Sequence, residues 1–218
     1  MTDTLRIDGH DYRIQFLDEP SLEYEFLHMF VDDAYGLSLL KEIRTIVDVG
    51  ANHGFFGLCA RGWFPDAVIH GYEPNPRVWQ CFEHNYGLVR AVPFREAVGS
   101  SDARAEIQHI GDSISARTKP TSDSSGIPLV SLARAIDRIG GEVDLLKLDC
   151  EGAEWEILEA REPLGRVKAI TMEYHDFGLG AVPDYRTHAE FLLRDNGFDI
   201  VRHVPVNRYG QILAVRSS

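Results

Sequence analysis

Four acidic clusters carry the chemistry that this sequence of 218 residues can offer. Asp48 stands two residues before Gly50 in Asp48-Val49-Gly50-Ala51-Asn52-His53-Gly54. Glu73 follows the apolar run that ends at Tyr72. Asp149, Glu151 and Glu154 lie in Lys147-Leu148-Asp149-Cys150-Glu151-Gly152-Ala153-Glu154, and Glu173 and His175 flank Tyr174. Each cluster closes a short apolar run, so each is expected at the carboxyl end of a strand. In open α/β sheets, ligands bind in the crevice beyond those ends. A single such end reads as well as a helix cap or a solvated loop, and Glu151 and Glu154 suit a helix first turn for dipole reasons alone. Four ends converging on one crevice outweigh that reading.

Glu73 is placed to accept both hydroxyls of a ribose, a geometry that serves NAD and S-adenosylmethionine alike. The glycine loop separates the two. Gly50, Gly54 and Gly57 do not follow the Gly-x-Gly-x-x-Gly spacing that sets a helix N-terminus against a pyrophosphate. Asp48 would repel a diphosphate and would favour an ammonium or a sulfonium. The methyl donor therefore stands ahead of the dinucleotide. Gly50 is expected to let the backbone turn sharply and approach a ligand, and Gly54 to let the helix start close to the strand.

These residues need an alternating frame. Leu5 to Ile14 reads as a hairpin around Asp8-Gly9. Leu22, Phe26 and Phe30, widened by Leu27 and Val31, give a helical stripe that would lie on the sheet or cover the cofactor site. Strands are predicted at 45–49, 67–72, 92–98, 144–148 and 167–174, with helices at 55–63, 77–86, up to 158, and from 185 to Asn196-Gly197. Strands at 198–203 and 211–215 form a terminal antiparallel hairpin. The chain is read as one domain, an extension over 1–44 and a core over 45–218. The fold is α/β and Rossmann-like, with a mainly parallel sheet.

Asp48-Val-Gly-Ala-Asn-His-Gly54, Tyr72-Glu-Pro-Asn-Pro76, Asn85, Glu96-Ala-Val-Gly99, Leu146-Lys-Leu-Asp-Cys-Glu-Gly-Ala-Glu154 and Glu173-Tyr-His175 together resemble the FkbM-type methyltransferases, in matching order. The resemblance implies a class I fold with a seven-stranded sheet. It also implies methyl transfer from S-adenosylmethionine to hydroxyls on sugars or polyketide-like natural products. On it, Asp48, Gly50 and Asn52 would hold the methionine portion, Glu73 the ribose, and Glu96 with Ala97 the adenine. One departure is that Leu132 precedes Ala133 where the family often has Asp. That Asp would cap or orient a helix, so the change touches substrate inference and leaves the donor site intact.

Methyl transfer to a hydroxyl needs alignment and the removal of a proton. His175 is the first candidate base, because an ordinary imidazole near ~6.5 suits neutral pH. Asp149 is the second, as base or orienting carboxylate, with Glu151 and Glu173 positioning the acceptor. The same four residues could instead hold Mg²⁺; a metal-free site is the expectation. His53 in the loop would contact the donor or solvent.

The net charge of −12 disfavours nucleic acid as the substrate. A small-molecule acceptor is expected, with a macromolecule modifier or a non-catalytic donor-binding protein as alternatives. No apolar run suits a membrane span and no secretory signal is visible, so the expected location is the cytoplasm. Cys59, Cys81 and Cys150 read as reduced core thiols. The polar stretch from Gly111 to Gly126 is expected to be a mobile loop able to close over the crevice.

Overall fold

A computed structural model of the chain describes residues 1–7, 9–108, 111–177 and 184–217. The extension forms a hairpin of β1 (Thr2–Ile7) and β2 (His10–Gln15), then helix α1 (Ser21–Phe30). Asp8, half of the expected turn, lies outside the described residues. Next come β3 (Thr45–Val49), α2 (Phe55–Trp63), β4 (Val68–Tyr72), α3 (Trp79–Leu88) and β5 (Val92–Phe94). They are followed by β6 (Ala97–Gly99), β7 (Ala103–Gln108), β8 (Arg117–Thr121), β9 (Ile127–Ser131) and α4 (Leu132–Arg138). The order ends with β10 (Val143–Leu148), α5 (Glu154–Glu159), β11 (Val167–His175), α6 (Tyr185–Asp195), β12 (Phe198–Pro205) and β13 (Tyr209–Arg216). None of the described helices is long and apolar enough to cross a membrane.

The main sheet has seven strands in the order β12-β13-β11-β10-β3-β4-β5. The five from β11 to β5 run parallel, and β13 lies antiparallel to both β11 and β12. This is the mainly parallel sheet with a terminal hairpin that the alternation predicts. Strands β3 and β10 are neighbours although the chain continues from them in opposite directions across the sheet. The crevice for a ligand opens above that reversal.

Side chains alternate across the central strands because successive residues point to opposite faces. Val47, Val49, Leu146 and Leu148 join one apolar core with Trp155, Ile157 and Leu193. Ile46 and Leu145 join the other, with Phe56, Leu58, Phe82 and Tyr86. Asp48 and Lys147 share this second face by the same alternation, so two charges are buried side by side.

Three expectations need correction. The strand expected at 92–98 is two strands in two sheets. The chain leaves the main sheet at Arg95-Glu96, where Glu96 meets Arg138, and β6 pairs in parallel with β9. A four-stranded sheet in the order β6-β9-β7-β8 was not anticipated. The polar, poorly patterned β7 and β8 hide it, and it absorbs part of the supposed loop: Arg117 to Thr121 is β8, paired along β7. Finally, Leu27 and Val31 do not widen the buried stripe of α1; both are exposed, while Leu22 is buried and Phe26 packs edge-on against Phe55.

Candidate functional site

The β3–α2 turn is held from inside. Gly50 has φ +77, and a Cβ there would stand 1.7 Å from the Asp149 carbonyl oxygen. The glycine therefore serves first to let two strand ends touch, rather than to admit a ligand. Gly57 and Gly71 leave room for the Tyr86 ring, which a Cβ at either would meet at 2.5 Å or less. The Tyr86 hydroxyl then reaches the Asp48 carboxylate and donates to it. Lys147 lies 3.2 Å from Asp48 Oδ1 and donates to the Gly50 carbonyl at 2.7 Å. Burial works against this cation, but Asp48 and Asp149 outweigh it and hold the ammonium above its ordinary value. Asp48 is thus wholly buried and does not line the crevice.

The loop amides are spent internally. Gly50 and Ala51 donate to the Tyr72 carbonyl at 3.0 and 3.1 Å, and Asn52 donates to Glu73 Oε2 at 2.8 Å. Glu73 Oε1 accepts from the Asn75 amide at 2.7 Å. Burial pushes the Glu73 carboxyl up to about 7, against the pull of these two amides. Each oxygen keeps a lone pair for a hydroxyl.

At the opposite end of the crevice, Asp149 Oδ2 accepts from the Tyr35 hydroxyl at 2.9 Å and lies 3.5 Å from Lys147 Nζ. His175 is the last residue of β11, not a loop residue, and it is buried. Its Nδ1 lies 2.9 Å from Glu154 Oε1, and its Nε2 faces Glu151 and Glu173 at 3.5 and 3.4 Å. Burial opposes the charged ring. The Glu154 and Glu173 hydrogen bonds overcome that and push His175 up to about 11. The expectation of an ordinary imidazole therefore fails: His175 is a cation at neutral pH and has no free site for a proton. Glu151 sits beside it with φ +55, pushed up to about 7 by burial. Glu173 is also raised by burial, and its Oε2 accepts from Gln211 at 3.2 Å.

The extension roofs this crevice, and here the sequence reading missed residues. Glu25 on α1 lines it among Leu22, Met29, Gly50, Asp149 and Glu151. Burial, then repulsion from Asp149 and Glu173, pushes Glu25 up to about 8. Glu19 Oε2 accepts from the Ser113 amide at 2.9 Å, and its Oε1 pairs with Arg77 at 2.7 Å. Asn52 Nδ2 donates to the Ser113 carbonyl at 3.2 Å, closing a strap over the crevice. A polar residue on the flank of an amphipathic helix, or just before its start, carries no mark of what it will face, so neither Glu19 nor Glu25 was legible.

His53 borders the cleft and also anchors the loop. Its Nε2 accepts from the Leu17 amide at 3.3 Å, which leaves Nδ1–H to donate to Asn52 Oδ1. Burial pushes this ring down to about 4, so it stays neutral. Asn85 ties the same loop to β2, donating to the carbonyls of Gln15 and His53, both at 2.7 Å.

Of the ten residues singled out, Gly50, Asn52, Glu73, Ala97, Asp149, Glu151 and Glu173 line one cleft enclosing roughly 920 Å³, part of it open to solvent. His175 borders an adjoining recess. Glu96 is corrected with Asp48: its carboxylate is engaged by the Arg138 guanidinium, which donates to Oε1 at 3.3 Å, and it does not line the cleft. The polar stretch does reach the cleft, through Ser113, Ala116 and Thr118. At the Leu132 departure, Ser131 Oγ caps α4 by accepting from the Arg134 amide at 3.3 Å, and no residue there enters the cleft.

A family model described as the methyltransferase FkbM domain matches residues 48–200. The chain is similar to methyltransferase sdnD of Sordaria araneosa, at 26% identity over 87% of this chain and 88% of that one. It is similar to 31-O-demethyl-FK506 methyltransferase FkbM of Streptomyces tacrolimicus, at 28% identity over 82% and 83%. Among solved structures, Aeropyrum pernix fibrillarin in complex with natively bound S-adenosyl-L-methionine shares the fold with a TM-score of 0.54 and 16% identity, over 98% of this chain and 82% of that one.

Proposed function

The chain belongs to the FkbM methyltransferase family, and from that premise we propose that it transfers the methyl group of S-adenosylmethionine to a hydroxyl of a small molecule. The observation that carries the choice of donor is the use of the loop amides. A pyrophosphate needs several free N–H groups at the helix start. Here Gly50, Ala51 and Asn52 direct theirs to Tyr72 and Glu73. What remains available is carboxylate: Glu73 at one end of the cleft, Asp149 and Glu173 at the other. That polarity suits a ligand with a diol at one end and a cation at the other.

The donor supplies an electrophilic methyl carbon on a sulfonium. Glu73 would hold the ribose hydroxyls with the lone pairs its backbone bonds leave free. Ala97 would border the adenine, and Gly50 and Asn52 the methionine portion. Asp149, kept beside Lys147, would orient the cationic centre.

Glu151 would take the acceptor's proton. Its carboxyl near 7 is half ionised at neutral pH and matched to general-base work. His175, held charged, would position Glu151 and Glu173 rather than accept the proton itself. The strongly negative net charge and the carboxylate-lined crevice favour a small molecule over a phosphate backbone.

Calorimetry with S-adenosylhomocysteine and with NAD tests the donor. Binding of the first and none of the second is expected; the reverse would overturn the reading.

A further inference from the structure

A second recess opens beside the donor cleft, lined by Tyr24, Ser115, Arg117, His175, Phe177 and Tyr209 among others. The two spaces share three lining residues, and all are carboxylates: Glu25, Glu151 and Glu173. Any hydroxyl presented to the donor from the recess must therefore pass through a carboxylate ring. The rest of the recess is not acidic in effect. Asp176 is taken by Arg208 at 3.0 Å, and Glu151 and Glu173 both face His175 Nε2.

Arg117 is the exception to this pairing. Its guanidinium carbon lies 3.5 Å from the centroid of the Phe177 ring. Among the described residues its Nε is buried without a hydrogen-bond partner. Residues 178–183, which continue from Phe177, contain no acidic side chain that could pair with it. A stacked guanidinium has lost little further freedom to lose, and its planar fork matches a carboxylate or phosphate. A buried donor without a partner is costly, so a ligand that satisfies it gains correspondingly.

Resting on the methyl-transfer reading, we propose that this recess is the acceptor site and that Arg117, stacked on Phe177, recognises an anionic group on the acceptor. The anion would sit at Arg117 and the reacting hydroxyl at the carboxylate ring. The acceptor class is thus a hydroxylated molecule bearing a carboxylate or a phosphate. In the transfer, the hydroxyl proton goes to the ring, the oxygen lone pair forms the new bond to the methyl carbon, and the carbon–sulfur pair stays on sulfur.

Saturation-transfer NMR on the full chain tests this with three probes of one scaffold: D-glucuronate, D-glucose 6-phosphate and neutral D-glucose. Saturation of at least one anion is expected, with glucose at least tenfold weaker; which anion responds separates carboxylate from phosphate recognition. Arg117→Gln should remove the signal, and Arg117→Lys should restore part of it. Unchanged affinity for S-adenosylhomocysteine in both variants shows that the cleft is still folded. Equal saturation by glucose, anion binding that survives Arg117→Gln, or no binding by either anion would overturn the proposal. Every probe is also measured without S-adenosylhomocysteine, so failure of that compound to bind would sink the methyl-transfer reading separately.

Discussion

Glu154 Oε1 holds His175 twice: it lies 2.9 Å from the ring Nδ1 and accepts from the His175 backbone amide at 3.1 Å. One buried carboxylate oxygen thus fixes both the charge and the direction of the imidazole. Glu154→Gln should let His175 fall from about 11 toward the ordinary imidazole range. NMR titration of the ring reads this directly. The sign for stability follows from the raised value. His175 contributes stability that is complete below ~6.5 and is lost as pH rises toward about 11. The variant should lose that slope, and a His175 titration unchanged by the substitution would disprove the coupling.

Glu73 should be the residue most tightly linked to donor affinity. Two hydrogen bonds to a charged acceptor contribute about 1.5–3 kcal/mol each. Glu73→Ala is therefore expected to weaken S-adenosylhomocysteine binding about 100-fold or more. Glu73→Gln should lower Tm as well, because one end of the amide must face the Asn52 or Asn75 N–H group. Unaltered affinity in calorimetry would remove Glu73 from the donor site.

Removing Lys147 should cost stability more than chemistry. Lys147→Met leaves Asp48 buried without its cation. Breaking one side of a buried pair costs about 3–5 kcal/mol. Urea unfolding should show a loss in that range, and adding Asp48→Asn should recover part of it. No recovery in the double variant would mean that the two charges are independent.

The strap formed by Glu19, Ser113 and Asn52 should gate the cleft. Glu19→Ala removes both the Ser113 contacts and the Arg77 pair. Faster release of S-adenosylhomocysteine is expected in stopped-flow, with faster amide exchange over residues 111–116. Dissociation at the wild-type rate would make the strap passive.

Chelation should leave turnover intact. Asp149, Glu151 and His175 offer ligand atoms within 4.8 Å of one another. However, Glu154 and Glu173 favour the protonated ring, so a cation would have to displace that proton first. Activity is expected to survive EDTA. Loss on chelation with recovery on added Mg²⁺ would overturn this.

The sequence by itself determined the frame. Short β-branched runs alternating with helical stripes specify the strands of the main sheet, such as Thr45–Val49 and Val143–Leu148, because burial on two faces leaves each run little choice. The acidic ends at Glu73, Asp149, Glu151 and Glu173 were equally legible, since a carboxylate closing a buried strand is placed by the strand itself.

Only the tertiary structure decided which way the charges turned. Asp48 closes the same kind of run as the others, yet the alternation across β3 aims it at Lys147 and Tyr86. Glu96 is drawn to Arg138 on α4, a helix 42 positions downstream. His175 appeared as an ordinary imidazole because its ionisation depends above all on Glu154, 21 positions away, whose distance no local pattern encodes. Glu19 and Glu25 matter only because α1 folds back over the crevice. The physical reason is common to all five: strand and helix periodicity is local, whereas the electrostatics of a buried side chain depends on what long-range packing sets beside it.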